Sequence, residues 1–261
     1  MKAIILHGTG NDWTGNWMPW IKTQLETRGY EVYAPSLPDS DYPNAKKWAS
    51  YVIENVPFLI DDETIIVGHS AGAALIPQLL QELPDGTRIK KAILVSGFHT
   101  DLGWEKLKDA QNIEVDYDKV RKMAGDFTLI YSDNDPYVPA DEVEWLAEKL
   151  DGKLKMIKGQ GHFNLEASPK YKEFPKLLAI ILRERDLVIH GVYRHYKGGL
   201  YLVEDVAIHS EDLSEYVVYR PLYGDSDKLW IRPSDMFLEK HDGEHYRFEL
   251  IEGGLDENHK V

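Results

Sequence analysis

The sequence predicts an α/β fold: a mainly parallel six-stranded sheet flanked by helices, followed by a small C-terminal all-β, barrel-like domain. Three observations predict it. Short apolar runs alternate with amphipathic segments from residue 2 to residue 185, the pattern that lays a parallel sheet between helices. One run, Ile65-Ile66-Val67, leads into Gly68-His69-Ser70-Ala71-Gly72, and Leu75, Leu79, Leu80 and Leu83 then recur at helical spacing. After Arg183-Glu184-Arg185-Asp186 the helical period is lost, and tyrosines and β-branched residues take over.

Taken in order, Lys2 to Leu6 is a short strand ending in the glycine turn His7-Gly8-Thr9-Gly10. Trp17, Trp20, Ile21 and Leu25 mark a helix that Gly29 stops. Glu31 to Ala34 is a strand closed by Pro35, and Ser36 to Pro43 is loop. Asn44 caps a helix carrying Trp48, Tyr51 and Val52. The Ile65 strand and its helix follow, then the strand Ala92 to Val95 and a mixed connection from Phe98 to Asp126. Phe127 to Tyr131 is a strand, Asp141 starts a helix with Val143, Leu146 and Leu150 on one face, and Leu154 to Ile157 is the sixth strand. Tyr171 to Arg185 reads as a last helix. Beyond it, Val192-Tyr193, Leu200 to Val203, Tyr216 to Tyr219, Leu229 to Ile231 and Tyr246 to Leu250 read as strands separated by turns such as Lys197-Gly198-Gly199. The expected organisation is therefore 1–186, 187–251, and a polar, frayed tail at 252–261.

Composition narrows the function. A hydrophobic content of 43% across 261 residues supports a packed core and excludes global disorder. The chain has no cysteine, which excludes disulfides, thiolate metal sites and a cysteine nucleophile. The net charge is −14. Residues 187 onward hold 8 Lys and Arg against 15 Asp and Glu, and the preceding part 22 against 29, so each part stands at −7. Neither has the basic balance of a nucleic-acid binder. The apolar start Met1 to Leu6 is too short for a signal-peptide core, and no run approaches a membrane span. A soluble, cytoplasmic protein is expected.

The Gly68-to-Gly72 stretch fits G-x-S-x-G between a strand and a helix, the context of a nucleophile elbow. A serine hydroxyl needs a base to take its proton and a third group to orient that base. In the α/β-hydrolase arrangement the acid follows a later strand and the histidine comes last. Ser132-Asp133-Asn134-Asp135-Pro136 and Gly159-Gln160-Gly161-His162-Phe163 occupy those places. Ser70, Asp135 and His162 are the candidate catalytic residues. Asp135, restrained by Pro136, is favoured over Asp133, which is assigned to turn formation or a supporting hydrogen bond. The backbone N–H groups of Thr9 and Ala71 are the candidate oxyanion donors. Asn11 and Asp12 are placed at the border of the same cleft. His7 is expected to brace its loop, and His69 to wall the pocket.

Several motifs carry a family resemblance. Leu6-His7-Gly8, Trp17-Met18-Pro19-Trp20, Pro35-Ser36-Leu37-Pro38, Trp48, Gly68-His69-Ser70-Ala71-Gly72, Asp135-Pro136-Tyr137-Val138-Pro139 and Gly161-His162-Phe163 run in order. Together they resemble the compact serine-hydrolase family that includes retinoblastoma-binding protein 9 and its bacterial relatives, over about residues 1–185. The resemblance implies a minimal α/β-hydrolase without a large lid, with Ser70, Asp135 and His162 as its triad. Gly191 to Gly198, Val218 to Asp225 and Trp230 to Pro233 resemble a small bacterial domain of unknown function, which implies a compact β-fold and a bacterial origin.

Other constellations point to weaker alternatives. His241, Glu244 and His245 have a zinc-like spacing, but Asp242-Gly243 breaks the helix it needs, so a solvated turn is expected. His195 and His209 with Asp225 form a candidate metal site or polar cleft, against ordinary hydrogen-bonded histidines. Tyr193, Tyr196, Tyr219 and Trp230 can stack a ligand, but are expected to pack a small core. The reading is a serine hydrolase acting on a small or medium acyl ester, with no metal and no organic cofactor. Its expected partners are a small-molecule ester and a protein recruited through the C-terminal domain, with neither nucleic acid nor membrane. The alternatives are an amidase or peptidase with the same triad, or a non-catalytic binding module.

Overall fold

The computed structural model describes residues 1–183, 187–210, 215–224 and 228–251. The expected junction at 184–186, Asp225 and the expected tail at 252–261 lie outside them. The chain divides into two units, Met1–Leu178 and Ala179–Val261.

In the first unit, strands form where the chain offers runs that can be buried on both faces. β1 (Lys2–Leu6), β3 (Thr64–His69), β4 (Lys91–Val95) and β5 (Phe127–Tyr131) are such runs. β2 (Glu31–Tyr33) and β6 (Lys153–Met156) are shorter and more exposed, and they form the edges. The order is β2-β1-β3-β4-β5-β6 and every pairing is parallel. The chain steps outward from β1 to β2, then returns to the other side of β1 with β3. The carboxyl ends of β1 and β3 are thus the point where strand order reverses, where open parallel sheets place their sites. Leu6 pairs with Gly68 in register, so the His7-Gly8 turn and the His69-Ser70 turn emerge side by side.

The helices cover the sheet. α1 (Met18–Glu26) has Pro19 in its first turn and buries Met18, Ile21 and Leu25. α2 (Ala45–Asn55) begins at Asn44, whose side chain accepts a hydrogen bond from the Lys47 N–H at 3.1 Å. α3 (Ala71–Glu82) is buried all round from Ala71 to Leu80, more deeply than its leucine stripe suggests. Gln78 is fully buried in it, and its amide is satisfied by the carbonyls of Ala74 and Ala110 and by the Ile113 N–H. These bonds pin the long 98–126 connection, which contains a 3-10 turn at Glu105–Gln111 and the single-turn α4 (Tyr117–Val120). α5 (Ala140–Leu150) follows.

The expected helix over Tyr171 to Arg185 is corrected. Pro169–Lys172 is a separate 3-10 turn, and α6 (Pro175–Leu182) starts only at Pro175. Proline suits a first helical position but drives the residue before it out of helical geometry.

The second unit is a five-stranded antiparallel sheet in the order β10-β9-β8-β7-β11. Its strands are β7 (Val192–His195), β8 (Leu200–Ile208), β9 (Glu215–Pro221), β10 (Trp230–Pro233) and β11 (Phe248–Leu250). A register shift between Val203 and Asp205 bends β8. The core is Tyr193, Val203, Val217, Tyr219, Phe237, Leu238 and Phe248. Phe237 and Leu238 come from α7 (Ser234–Leu238), a helix that the strand reading of this region missed because five residues carry no period. Tyr193 and Tyr219 are core residues as expected. Tyr196 and Trp230 are not: they are 46% and 51% exposed. Among the described residues, no helix is long and apolar enough to cross a membrane.

Candidate active site

Ser70 sits between β3 and α3 with φ 55° and ψ −121°, a conformation that costs a non-glycine residue about 1–3 kcal/mol. The surroundings enforce it. The Ser70 N–H donates to the Val95 carbonyl at 2.9 Å, and the Ser70 carbonyl accepts from the Ala73 and Ala74 N–H groups at 2.9 Å. Flanking glycines make room: a Cβ on Gly68 would lie 2.4 Å from the Gly72 oxygen, and one on Gly72 2.4 Å from the His7 oxygen. Gly8 presses on the serine itself, where a Cβ would lie 2.9 Å from Ser70 Cβ and 3.5 Å from Oγ. The turn that carries Thr9 therefore lies against Ser70. Ala71 is the first residue of α3 and is buried.

Asp135 and His162 are brought together. His162 Nδ1 lies 2.8 Å from Asp135 Oδ2 and 3.0 Å from Oδ1. Both side chains are nearly inaccessible to solvent, at 2% and 8% exposure. Asp135 Oδ1 also accepts from the Tyr137 and Val138 N–H groups at 2.9 and 3.1 Å, and Oδ2 accepts from the Ser96 hydroxyl at 2.8 Å. Burial pushes this carboxyl up, but the His162 hydrogen bond and charge and the two backbone donors outweigh it and hold it below the ordinary carboxylate range. An ionised Asp135 puts the imidazole proton on Nδ1 and leaves Nε2 as a base.

The loop before Asp135 clamps the loop before His162. Asp133 Oδ1 accepts from the Gly159 N–H at 2.6 Å, Ser132 Oγ from Gln160 N–H at 2.8 Å, and Asn134 Oδ1 from Gly161 N–H at 2.8 Å. Ser132 in turn donates to Asn134 at 2.8 Å. Asp133 thus holds a loop and makes no hydrogen bond to His162. On the far side, Trp17 Nε1–H donates to the Phe163 carbonyl at 3.0 Å. Sequence reasoning missed Ser96, Ser132 and Asn134. Ser96 alone left a signal, following a buried strand directly before Gly97, and its φ of 48° shows a second strained turn beside the elbow.

The two neighbouring histidines are structural. His7 is fully buried; its Nδ1–H donates to the Gly8 carbonyl at 2.9 Å and its Nε2 accepts from the Leu37 N–H at 2.7 Å. Burial lowers its pKa against the opposing pull of Gly8 and Asp12. His69 donates from Nε2 to the His162 carbonyl at 2.8 Å, and its ring centre is 4.8 Å from that of His162. Burial and His162 push its pKa down to about 3. Asn11 and Asp12 cap their own turn: the Asp12 N–H donates to Asn11, and Asp12 accepts from Thr14.

Around the site, Tyr137 meets His162 edge-on at 5.1 Å, and Trp104 meets Tyr137 at 6.0 Å. A cleft of about 600 Å³, lined by Tyr137, Gln160, Asn164, Glu166 and Lys170, opens beside the His162 loop, within the size range of small-molecule sites. Among the described residues, no group of three or more His, Asp or Glu is placed to hold a metal ion. His241 and His245 both lie beside Asp242 in a turn, and His195 and His209 have separate aromatic neighbours.

The chain is similar to known hydrolases. Serine hydrolase RBBP9 of Rattus norvegicus is 26% identical over 185 residues, which span 69% of this chain and 93% of the relative. YdeN of Bacillus subtilis is 28% identical over 163 residues, 62% of this chain and 85% of the relative. The crystal structure of the ydeN gene product superposes with a TM-score of 0.63 at 25% identity, covering 69% of this chain and 96% of that one. A monoacylglycerol lipase structure from Paleococcus ferrophilus shares the fold, with a TM-score of 0.52 at 13% identity over 69% of this chain and 91% of that one. Residues 191–250 match the family described as a protein of unknown function (DUF1653). Residues 3–183 match the serine hydrolase family, and the chain belongs to it.

Proposed function

We propose that the enzyme hydrolyses a small or medium acyl ester through an acyl-enzyme intermediate. Ser70 Oγ attacks the ester carbonyl as His162 Nε2 takes its proton. The tetrahedral intermediate collapses, the C–O bond breaks, and His162 returns the proton to the departing alcohol. Water, deprotonated by His162, then releases the acid and regenerates Ser70. Asp135 holds the imidazole tautomer and stabilises the imidazolium. The N–H groups of Thr9 and Ala71 serve the oxyanion. This chemistry requires no cofactor.

The observation that carries this reading is the buried Asp135–His162 pair, 2.8 Å apart, in the loops that follow β5 and β6. It is supported by the strained Ser70 turn that follows β3 in the same parallel sheet. The test is a fluorophosphonate probe with mass-spectrometric mapping. The expected adduct is on Ser70, and Ser70→Ala abolishes both labelling and p-nitrophenyl ester turnover while the circular dichroism spectrum is kept. Labelling that persists in Ser70→Ala refutes the assignment. A panel of esters and matched amides of graded acyl length then separates ester from amide hydrolysis.

A further inference from the structure

The second unit contains a cavity of about 440 Å³, also within the usual range of small-molecule pockets. Tyr201, Tyr219, Tyr223, Trp230 and Phe248 form its aromatic walls. Arg232, Lys197 and His195 add its basic groups. We infer that this cavity is a binding site for a small planar anion, an aromatic ring carrying a phosphate or carboxylate.

The polarity of β10 is inverted. Trp230 and Arg232 are two residues apart on a strand, so they share a face. They pair across the ladder with Tyr219 and Val217, both core residues. The face that they share is therefore the one turned to the core. Ile231, on the opposite face, is 64% exposed. A strand placed only to cover a core would have the reverse pattern, with the aliphatic residue inward and the cation outward.

Among the described residues the inward cation is not neutralised. Arg232 donates from Nε to the Tyr219 hydroxyl at 3.3 Å, and its guanidinium carbon lies 5.6 Å from the centre of the Phe248 ring. Among the described residues it has no carboxylate partner. By contrast, nearby Arg247 pairs with Glu239. The basic groups converge although the unit as a whole is acidic. After burial, the influences that lower the His195 pKa are Arg232, Arg247, Lys197 and His241, all of one sign. A half-buried guanidinium on aromatic faces is suited to a phosphate or carboxylate, which it can bind through two parallel N–H donors. The rings of Trp230 and Tyr223, 51% and 54% exposed, offer stacking surface at the rim. Tyr201 and Tyr223 hydroxyls meet at 2.5 Å, which fixes the ring that closes one side.

Isothermal titration of the full-length protein at low salt tests the inference. The probes are adenosine monophosphate, benzoate, adenosine and inorganic phosphate. The first two distinguish a mononucleotide from an aromatic carboxylate, adenosine lacks the charge, and phosphate lacks the ring. The expected result is saturable one-to-one binding of one aromatic anion, at least about tenfold tighter than adenosine or phosphate, the scale of one charge-assisted hydrogen bond. Arg232→Gln and Trp230→Ala are each expected to weaken it at least about tenfold. Ser70→Ala leaves it unchanged, so this result is independent of the hydrolase reading. If Arg232→Gln does not fold, Trp230→Ala and Lys197→Ala at exposed positions decide. Failure of both aromatic anions to bind overturns the inference, as does binding that the variants leave intact. So does Arg232→Gln causing concentration-dependent association while the wild type binds no probe, because Arg232 would then only guard a sheet edge.

Discussion

Asp135→Asn is the perturbation whose outcome the geometry constrains most. Oδ1 of Asp135 accepts two backbone N–H groups, from Tyr137 and Val138. Those donors cannot be removed or turned, so the asparagine must place its carbonyl oxygen there. Its amide NH2 then takes the Oδ2 position, 2.8 Å from His162 Nδ1 and 2.8 Å from Ser96 Oγ. A donor in this nearer contact favours an unprotonated Nδ1 over a proton left on the carbonyl oxygen at 3.0 Å. The proton moves to Nε2, the nitrogen that has to accept from Ser70. The same tautomer error costs serine proteases about 10⁴ in kcat. At about 1.4 kcal/mol per tenfold, that is roughly 5.5 kcal/mol of transition-state stabilisation. The assay is kcat on a p-nitrophenyl ester, with ¹⁵N histidine chemical shifts to read the tautomer and a thermal melt to confirm folding. Asp133→Asn is the comparison. It keeps an acceptor for the Gly159 N–H and has no bond to His162, so its kcat falls by less than about tenfold. A folded Asp135→Asn enzyme within tenfold of wild type, or a reversed ranking of the two variants, refutes the reasoning.

Other outcomes follow from burial and backbone contact. Gly68→Ala puts a Cβ 2.4 Å from the Gly72 oxygen and 2.6 Å from Ala73 N, both backbone, and should cost about 3 kcal/mol or more by urea titration. Gly86→Ala, with open space but φ at +85°, should cost only about 1–2 kcal/mol. His7 and His69 have folded-state pKa values below the unfolded one, so the unfolded chain binds protons first. Their stabilisation is full above about pH 6.5 and declines as pH falls below it, by up to about 1.4 kcal/mol per pH unit for each histidine. Urea midpoints at pH 7, 6 and 5 should trace this decline, and His69→Asn should flatten it; equal midpoints across that range contradict it. A chain truncated after residue 186 should melt cooperatively and keep most small-ester turnover, because every proposed catalytic group precedes Leu178; a folded but inactive truncation shows that the C-terminal domain completes the site.

Much of the fold was legible because local chemistry dictated it. Buried parallel strands are apolar without alternation, so Ile65 to Val67 and Ala92 to Val95 stood out. Ser70 and Asp135 were legible because each lies in a turn after such a strand, and His162 because Gly159-Gln160-Gly161 marks the loop after the exposed edge strand β6. The supports of the site were not. Ser96 meets Asp135 across 39 residues, and Ser132 and Asn134 meet the His162 loop across 28 and 27. Such pairings depend on which strands become neighbours, and ordinary serines and asparagines do not announce it. The start of α6 was misread for a local reason: apolar spacing ran through Phe174-Pro175, and the proline should have been given more weight than the period.

The row of bonds from residues 132–135 to residues 159–162 has a consequence for how this site can vary. The two loops are indexed directly to each other, side chain to backbone amide, at three consecutive points before the Asp135–His162 pair itself. These bonds add to the β5–β6 pairing, which ends with the Ile157 N–H on the Tyr131 carbonyl at 2.8 Å. Between the two loops, the exposed positions of α5 can change sequence while the pair keeps its geometry, whereas Val143, Leu146 and Leu150 are held by the core. A deletion of one residue within either short loop would instead shift every tooth of the rack by one. The surface between the proposed catalytic groups can thus vary far more readily than the loops beside them.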